Sequence, residues 1–288
     1  MTSKTNSSSS NKENYPKTPS LLSIDGYHCE IRDNSKVKQA TCYVVLGIDL
    51  EGKKDIFGIY TFFGKENKAD WMKVFEDLIT RGLKKVLIIV SDDFPGIIDA
   101  VKIAYPYADH QLCFVHLQRN VKRHMTKEDS SKFNKELERI RLSSSDIDEA
   151  VSAFNQLCNE YLSKYPRFLK GILEKAEYYF AHIRYPEEIR KHIYTTNAVE
   201  SINSIIEKIR MKSGGYFQST EILEKFAFKE RTLSVVNGKM GYLLLNTTLT
   251  KSYNFSNYAM NWIHKILDKS RFLYKFTCLL YHLLTYLV

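Results

Sequence analysis

Five apolar residues in a row, Val86 to Val90 (VLIIV), followed at once by Ser91, Asp92 and Asp93, constrain this chain more than any other feature. An unbroken run of that kind, rich in β-branched residues, reads as a strand covered on both faces, and such a strand needs helices on either side of its sheet. Just upstream, Ala69 to Arg81 places Trp71, Val74, Phe75 and Leu78 at i, i+3, i+4 and i+7, one face of an amphipathic helix. Before that come three strand-like runs: Leu22 to Arg32, Thr41 to Asp49 and Lys54 to Phe63. The last two are joined by Leu50-Glu51-Gly52-Lys53, whose glycine suits a tight hairpin. With a helix starting near Gly96 and a strand at Gln111 to Phe114, the order is β-β-β-α-β-α-β, a mixed α/β sheet flanked by helices.

After His116 the period is helical. Val115 to Met125 is a basic helix, Ser131 to Arg141 is amphipathic, and Asp146 to Leu162 follows a cluster of capping serines. Pro166 opens the next helix, Pro186 marks a break, Glu187 to Arg210 resumes helix, and Gly214 to Tyr242 is helical after its Gly-Gly turn. The expected organisation is therefore a polar, disordered leader over 1–20, a first core segment over 21–126, an all-helical segment over 127–186, a return to the core over 187–242, and a helical tail over 243–288.

Forty-two Lys and Arg against 33 Asp and Glu leave a net charge of +9, which favours an anionic partner, nucleic acid ahead of a membrane surface. The apolar end, Phe276 to Val288, is interrupted by His282 and falls short of the ~18 apolar residues of a membrane span. Met1 to Ser20 has no apolar signal core. The five cysteines are scattered without a CxxC pair, so neither a disulfide framework nor a four-cysteine zinc site is expected, and a reducing, cytoplasmic setting is.

Three acids stand out. Asp25, in Ser23-Ile24-Asp25-Gly26-Tyr27, is either a turn aspartate of an Asp-Gly pair or an acid aimed from a strand at a site. Asp92 follows the buried strand at its carboxyl end, where ligands collect in α/β sheets, unless it only caps the next helix. Glu200 lies on a helix whose Ile202, Ile205, Ile206 and Ile209 share one face, with Glu200, Asn203, Ser204 and Glu207 opposite; alternatively, Asn197-x-x-Glu200 is a capping box. Carboxylates from a strand, a strand end and a helix are what two Mg²⁺ or Mn²⁺ ions about 3.5–4 Å apart require for phosphoryl transfer. Cys113-x-x-His116 lacks the second pair that a complete zinc site needs, so packing and hydrogen bonding or phosphate contact are the expected roles. His116, Arg119, Lys122, Arg123, Asn203, Lys208, Arg210 and Lys212 are candidate DNA contacts, mostly to the backbone.

Taken in order, Ile24-Asp25-Gly26, YVVLGID at Tyr43 to Asp49, SDDFPGIIDAV at Ser91 to Val101, CFVHLQRN at Cys113 to Asn120, YLSKYP at Tyr161 to Pro166, Tyr185-Pro186, and TTNAVESINSIIEKIR at Thr195 to Arg210 resemble the Mutator-type transposases of insertion sequences. The resemblance covers about Leu21 to Lys229. It implies an RNase H-like catalytic fold with an all-helical insertion between the second Asp and the Glu. It also implies a catalytic and metal-binding triad at Asp25, Asp92 and Glu200 with two Mg²⁺ or Mn²⁺ ions, and a CxxH signature at Cys113 and His116. The implied activity is strand cleavage at transposon ends and strand transfer into target DNA, by a homo-oligomer on double-stranded DNA and away from membranes.

The chain departs from the family at three points. Asp93 stands where a glycine usually follows the second Asp, although alignment through Gly96 favours Asp92. Only Met1 to Ile24 precedes Asp25, so the usual N-terminal DNA-binding region is expected to be missing. The tail after Leu243 reads like that of a truncated or frameshifted copy. The rival expectations are a decayed fragment that binds DNA or a partner transposase without chemistry, and a different RNase H-like nuclease.

Overall fold

Two residues with positive φ, Asn34 (48°) and Ser35 (64°), turn the chain between β1 (Leu21–Asp33) and β2 (Lys36–Ile48), as a two-residue hairpin with right-handed strand twist requires. The structure, a computed structural model, describes residues 21–48 and 54–225. The leader, the expected turn at 50–53, the helix expected beyond residue 225 and the apolar tail lie outside the described residues. All described residues belong to the unit Met1–Leu243 of the two into which the chain divides.

Among the described residues β3 (Lys54–Phe63), β4 (Ile88–Ser91) and β5 (Asp109–Leu112) complete a five-stranded sheet in the order β3-β2-β1-β4-β5. β1, β2 and β3 run antiparallel in turn, while β4 and β5 run parallel to β1. The expected mixed α/β sheet flanked by helices is thus present, and β1 lies at its centre.

Several boundaries differ from the sequence reading, each for a physical reason. β2 starts at Lys36 rather than Thr41, because the exposed stretch Lys36 to Gln39 still pairs with Asp33, Arg32, Ile31 and Glu30 across the hairpin. β4 begins at Ile88; Val86 is buried ahead of the strand without pairing in it. β5 ends at Leu112, since Cys113 already caps the next helix. The helix expected over Glu187 to Arg210 is two, α8 (Glu187–Ile193) and α9 (Asn197–Lys212). They part at Tyr194 to Thr196, where the Tyr194 carbonyl accepts the Phe114 N–H at 2.8 Å and the Thr196 N–H turns to the Cys113 sulfur at 3.4 Å. After Gly214 and Gly215 the chain does not enter a helix at once. Phe217, fully buried, bridges to Ile31 and exchanges backbone hydrogen bonds with Glu30 and Arg32.

The remaining helices are α1 (Lys68–Thr80), α2 (Ile97–Ala104), α3 (Phe114–His124), α4 (Lys127–Ser143), α5 (Ile147–Tyr161), α6 (Pro166–Leu173) and α7 (Ala176–Phe180), followed by a 3-10 turn at Ala181–Arg184. Alternation along the strands decides which helices cover which face. Leu22, Ile24, Tyr43 and Val45 point to the side packed by Trp71, Val74, Phe75 and Leu78 of α1 and by Ile97 and Val101 of α2. That apolar cluster continues through Phe114 and Leu117 of α3 into Phe133, Leu137, Phe154 and Phe180, so the all-helical stretch shares its core with the sheet. The other face carries Cys29, Ile31, Cys42, Val44 and Leu46, covered by Val199, Ile202 and Ile206 of α9. Burying such a side chain contributes about 1.5–3 kcal/mol, which anchors α9 to the sheet. Ile205, expected among these, is only half-buried and stands outside the cluster. Among the described residues no helix is long and apolar enough to cross a membrane.

Candidate active site

The same alternation sends Asp25 to the face that α9 covers, one residue past Ile24 on the opposite side of β1. Asp25 is 7% exposed and sits mid-strand, so the Asp-Gly pair is not a turn. Asp92 follows Ser91, the last residue of β4, next to β1 in the sheet. It does not cap α2, whose N-cap is Gly96; its Oδ1 accepts the Asp93 N–H at 2.7 Å. Glu200 is in the first turn of α9, but the capping box is not formed, because Thr196 occupies the cap position and the Glu200 carboxylate turns outward to Arg119 and His116. All three acids line one open cleft of about 690 Å³, together with Glu66, Asp93, His116, Arg119, Asn203 and Lys208.

Asn203 is buried and donates from Nδ2 to Asp25 Oδ2 at 2.6 Å, fixing that carboxylate from the α9 side. Arg119 grips Glu200 with two hydrogen bonds, 2.8 Å to Oε1 and 3.2 Å to Oε2, the fork geometry that suits a guanidinium and a carboxylate. His116 lies between the acids, with Nδ1 3.5 Å from Asp92 Oδ2 and Nε2 3.2 Å from Glu200 Oε1. Burial disfavours its charge, but the hydrogen bond to Cys113 and the fields of Asp92 and Glu200 outweigh this and raise its pKa to about 9. Arg119 Nη1 lies 2.8 Å from His116 Nε2 as well as 2.8 Å from Glu200 Oε1, so the guanidinium, the imidazole and the carboxylate form one contact cluster.

Cys113 is buried and accepts from the Thr196 N–H and hydroxyl at 3.4 and 3.3 Å. Burial works against its thiolate, yet His116 and Thr196 bring its pKa below the ordinary thiol value. The CxxH pair thus orients His116 and pins the start of α9.

The cleft carries more buried negative charge than its own cations offset. Burial, followed by the fields of Asp92 and Glu200 working against His116, raises Asp25 to about 6. Burial and the fields of Asp25 and Asp92 raise Glu66 to about 7. Among the described residues Glu66 Oε1 is buried without a hydrogen-bond partner. Hard oxygen donors with surplus charge and an orphaned carboxylate oxygen fit a divalent cation such as Mg²⁺ or Mn²⁺. Among the described residues no three His, Cys, Asp or Glu side chains form an assembled metal centre; His116 and Arg119 supply the positive charge instead.

Asp93 is drawn the other way, its Oδ2 2.6 Å from Lys175 Nζ on the helical stretch, which leaves Asp92 as the acid paired with His116. Of the basic and polar residues read as DNA contacts, Lys122, Arg123, Lys208 and Lys212 are exposed, and Lys208 is at the cleft wall. Arg210 is engaged within the fold by Glu207, Glu30 and Tyr27, and Asn203 by Asp25. Sequence reasoning missed Glu66 and Lys175. Each reaches the cleft region only through tertiary packing, from the turn before α1 and the turn before α7, and no local pattern marks either one.

The profile of the transposases of the Mutator family matches residues 11–229, and the chain belongs to that family. It is 28% identical over 207 residues to the transposase for insertion sequence element IS905 of Lactococcus lactis, an overlap covering 72% of this chain and 52% of that protein. It is 28% identical over 205 residues to a probable insertion-sequence transposase of Corynebacterium diphtheriae (71% and 59%), and 26% identical over 199 residues to the transposase for IS256 in transposon Tn4001 of Staphylococcus aureus (68% and 49%). The chain spans about half the length of these relatives.

Proposed function

We propose that this chain carries the catalytic core of a DNA transposase, an RNase H-like domain with an all-helical insertion before its catalytic Glu. The observation that carries the reading is the convergence of Asp25 from the central strand, Asp92 from the end of β4 and Glu200 from α9 on one cleft. A three-strand antiparallel meander followed by two parallel strands, with α4 to α7 between Asp92 and Glu200, supports the fold assignment.

In this reading Asp25, Asp92 and Glu200 hold two divalent ions, which supply Lewis acidity at a phosphodiester. Asn203 holds the Asp25 carboxylate in place. His116 and Arg119 balance Asp92 and Glu200 until the site is loaded, and the exposed Lys208 at the cleft wall attracts the phosphate backbone. The reaction is attack of water on a phosphodiester at the element's end, which frees a 3′-hydroxyl, followed by attack of that hydroxyl on target DNA. No covalent protein–DNA intermediate is needed. The substrate is double-stranded DNA, and paired ends call for a homo-oligomer.

Asp92→Asn removes one negative charge with little change in shape. It is expected to abolish Mg²⁺-dependent cleavage of a duplex carrying the element's terminal repeat while DNA binding survives in a gel-shift measurement. Cleavage at the wild-type rate by this variant would overturn the assignment, and cleavage of RNA–DNA hybrids in place of that duplex would move it to another nuclease class.

A further inference from the structure

Glu66 sits between β3 and α1, outside the three acids to which the proposed function assigns the chemistry, yet it is a wall of the same cleft. Its side chain is 10% exposed, and its Oε1 is fully buried with no hydrogen-bond donor among the described residues. The exposed His28 has its Nε2 4.0 Å away from that oxygen, beyond hydrogen-bond reach. A buried carboxylate left in that state costs stability, and it is retained where something absent from the folded chain satisfies it.

A second observation places the group deliberately. Glu66 Oε1 lies over the α-carbon of Gly26, the residue after Asp25, so closely that a Cβ at position 26 would come 2.0 Å from that oxygen and 3.3 Å from the carboxyl carbon. Gly26 is in ordinary strand conformation, so its lack of a side chain is not needed for a turn. What it provides is room for the Glu66 carboxylate over β1 at the wall of the cleft, on the face opposite to that to which the Asp25 side chain points. Phe94, stacked on Trp71 at 5.3 Å, closes the same spot, 3.5 Å from the position a Cβ would take.

We infer that Glu66 is a fourth carboxylate of the cation-holding set, with Gly26 as the notch that admits it. This rests on the reading of the cleft as a divalent-cation site. It assigns Gly26 of the Asp25-Gly26 pair a role in the site rather than in backbone geometry. Glu66 is a cation ligand in this account, and its partner in the cleft is a hard divalent ion such as Mg²⁺ or Mn²⁺.

The test is Mn²⁺ binding by the full chain, followed by the loss of the free-ion signal in electron paramagnetic resonance, with no DNA present. Glu66→Gln keeps the shape and removes a buried charge, so it is expected to fold and, without cation, to unfold at a temperature no lower than wild type. Gly26→Ala keeps Glu66 but pushes its carboxylate out of the notch, at the flexible end of a side chain. Both variants are expected to bind Mn²⁺ about ten- to a hundredfold more weakly, the usual range for losing a supporting group at a metal. Both should also show a smaller rise in unfolding temperature on adding Mn²⁺, whereas Asp92→Asn loses binding more completely. Wild-type Mn²⁺ affinity in Glu66→Gln beside weakened binding in Asp92→Asn would overturn the role of Glu66 and leave the proposed function standing. A lower unfolding temperature for cation-free Glu66→Gln with unchanged Mn²⁺ affinity would make Glu66 a structural residue. No Mn²⁺ binding by the folded wild type would overturn the proposed function and this inference with it.

Discussion

At the scale of single residues, the cleft is organised by partners that fix each acid in a different way. Asp25 is held by one short hydrogen bond from a buried amide, Glu200 by a bidentate guanidinium, and Asp92 lies 3.5 Å from the ring of His116, which Cys113 also engages. Under the proposed function, Asn203 positions the Asp25 carboxylate through its 2.6 Å hydrogen bond. A hydrogen bond to a charged group is worth about 1.5–3 kcal/mol. Asn203→Ala is accordingly expected to lower the cleavage rate about ten- to a hundredfold while leaving the affinity for DNA nearly unchanged, a split that single-turnover cleavage and gel-shift titration measure separately. Equal losses in both would mean that Asn203 reaches the DNA. Asp93 illustrates why adjacent acids are not equivalent: its carboxylate pairs with Lys175 of the helical stretch, while that of Asp92 meets His116.

At the scale of elements, the sequence was most readable where one period dominates. β3 and α5 fall within a residue of their expected limits, because Lys54 to Phe63 and Asp146 to Leu162 have clear patterns and clear caps. The misread places share one cause, a backbone satisfied by a distant partner. The break between α8 and α9 is set by Phe114 and Cys113 of another element, and Phe217 is drawn into a bridge with Ile31 instead of continuing a helix. No window of local sequence contains those partners. Among the acids that line the cleft, Asp25 and Asp92 were legible because each follows or interrupts an apolar pattern, and Glu200 because it faces away from the isoleucines of its helix. Glu66 was not, since it stands in a polar stretch, Gly64 to Lys68, where one more acid attracts no notice. On α9 the period was right in kind and wrong in detail: Val199, Ile202 and Ile206 pack on the sheet, and Ile205 lies to one side.

At the scale of the whole molecule, the buried acids Asp25 and Glu66 make stability depend on pH. A carboxyl whose pKa is raised on folding contributes stability that is fully present below its unfolded value and is lost as pH rises through its folded value. For Glu66 that window runs from its ordinary 4.5 to about 7. Buried His110 and His182, pushed down to about 3 by desolvation and by nearby positive charge, act in the opposite direction up to about their ordinary 6.5, so the total profile mixes the two. The difference between Glu66→Gln and wild type isolates the acid. In cation-free buffer their unfolding temperatures are expected to coincide near pH 4 and to separate in favour of the variant through pH 7; a constant difference across that range would show that Glu66 is not held neutral by its surroundings.

The central claim is that acids from β1, the end of β4 and α9 act as one set on DNA. The most direct measurement is Mg²⁺- or Mn²⁺-dependent nicking of a duplex that carries the element's own terminal repeats, with wild type beside Glu200→Gln, both verified as folded. Nicking by the wild type that the variant has lost is the predicted result. Equal nicking by the two proteins, or none by the folded wild type, would contradict it.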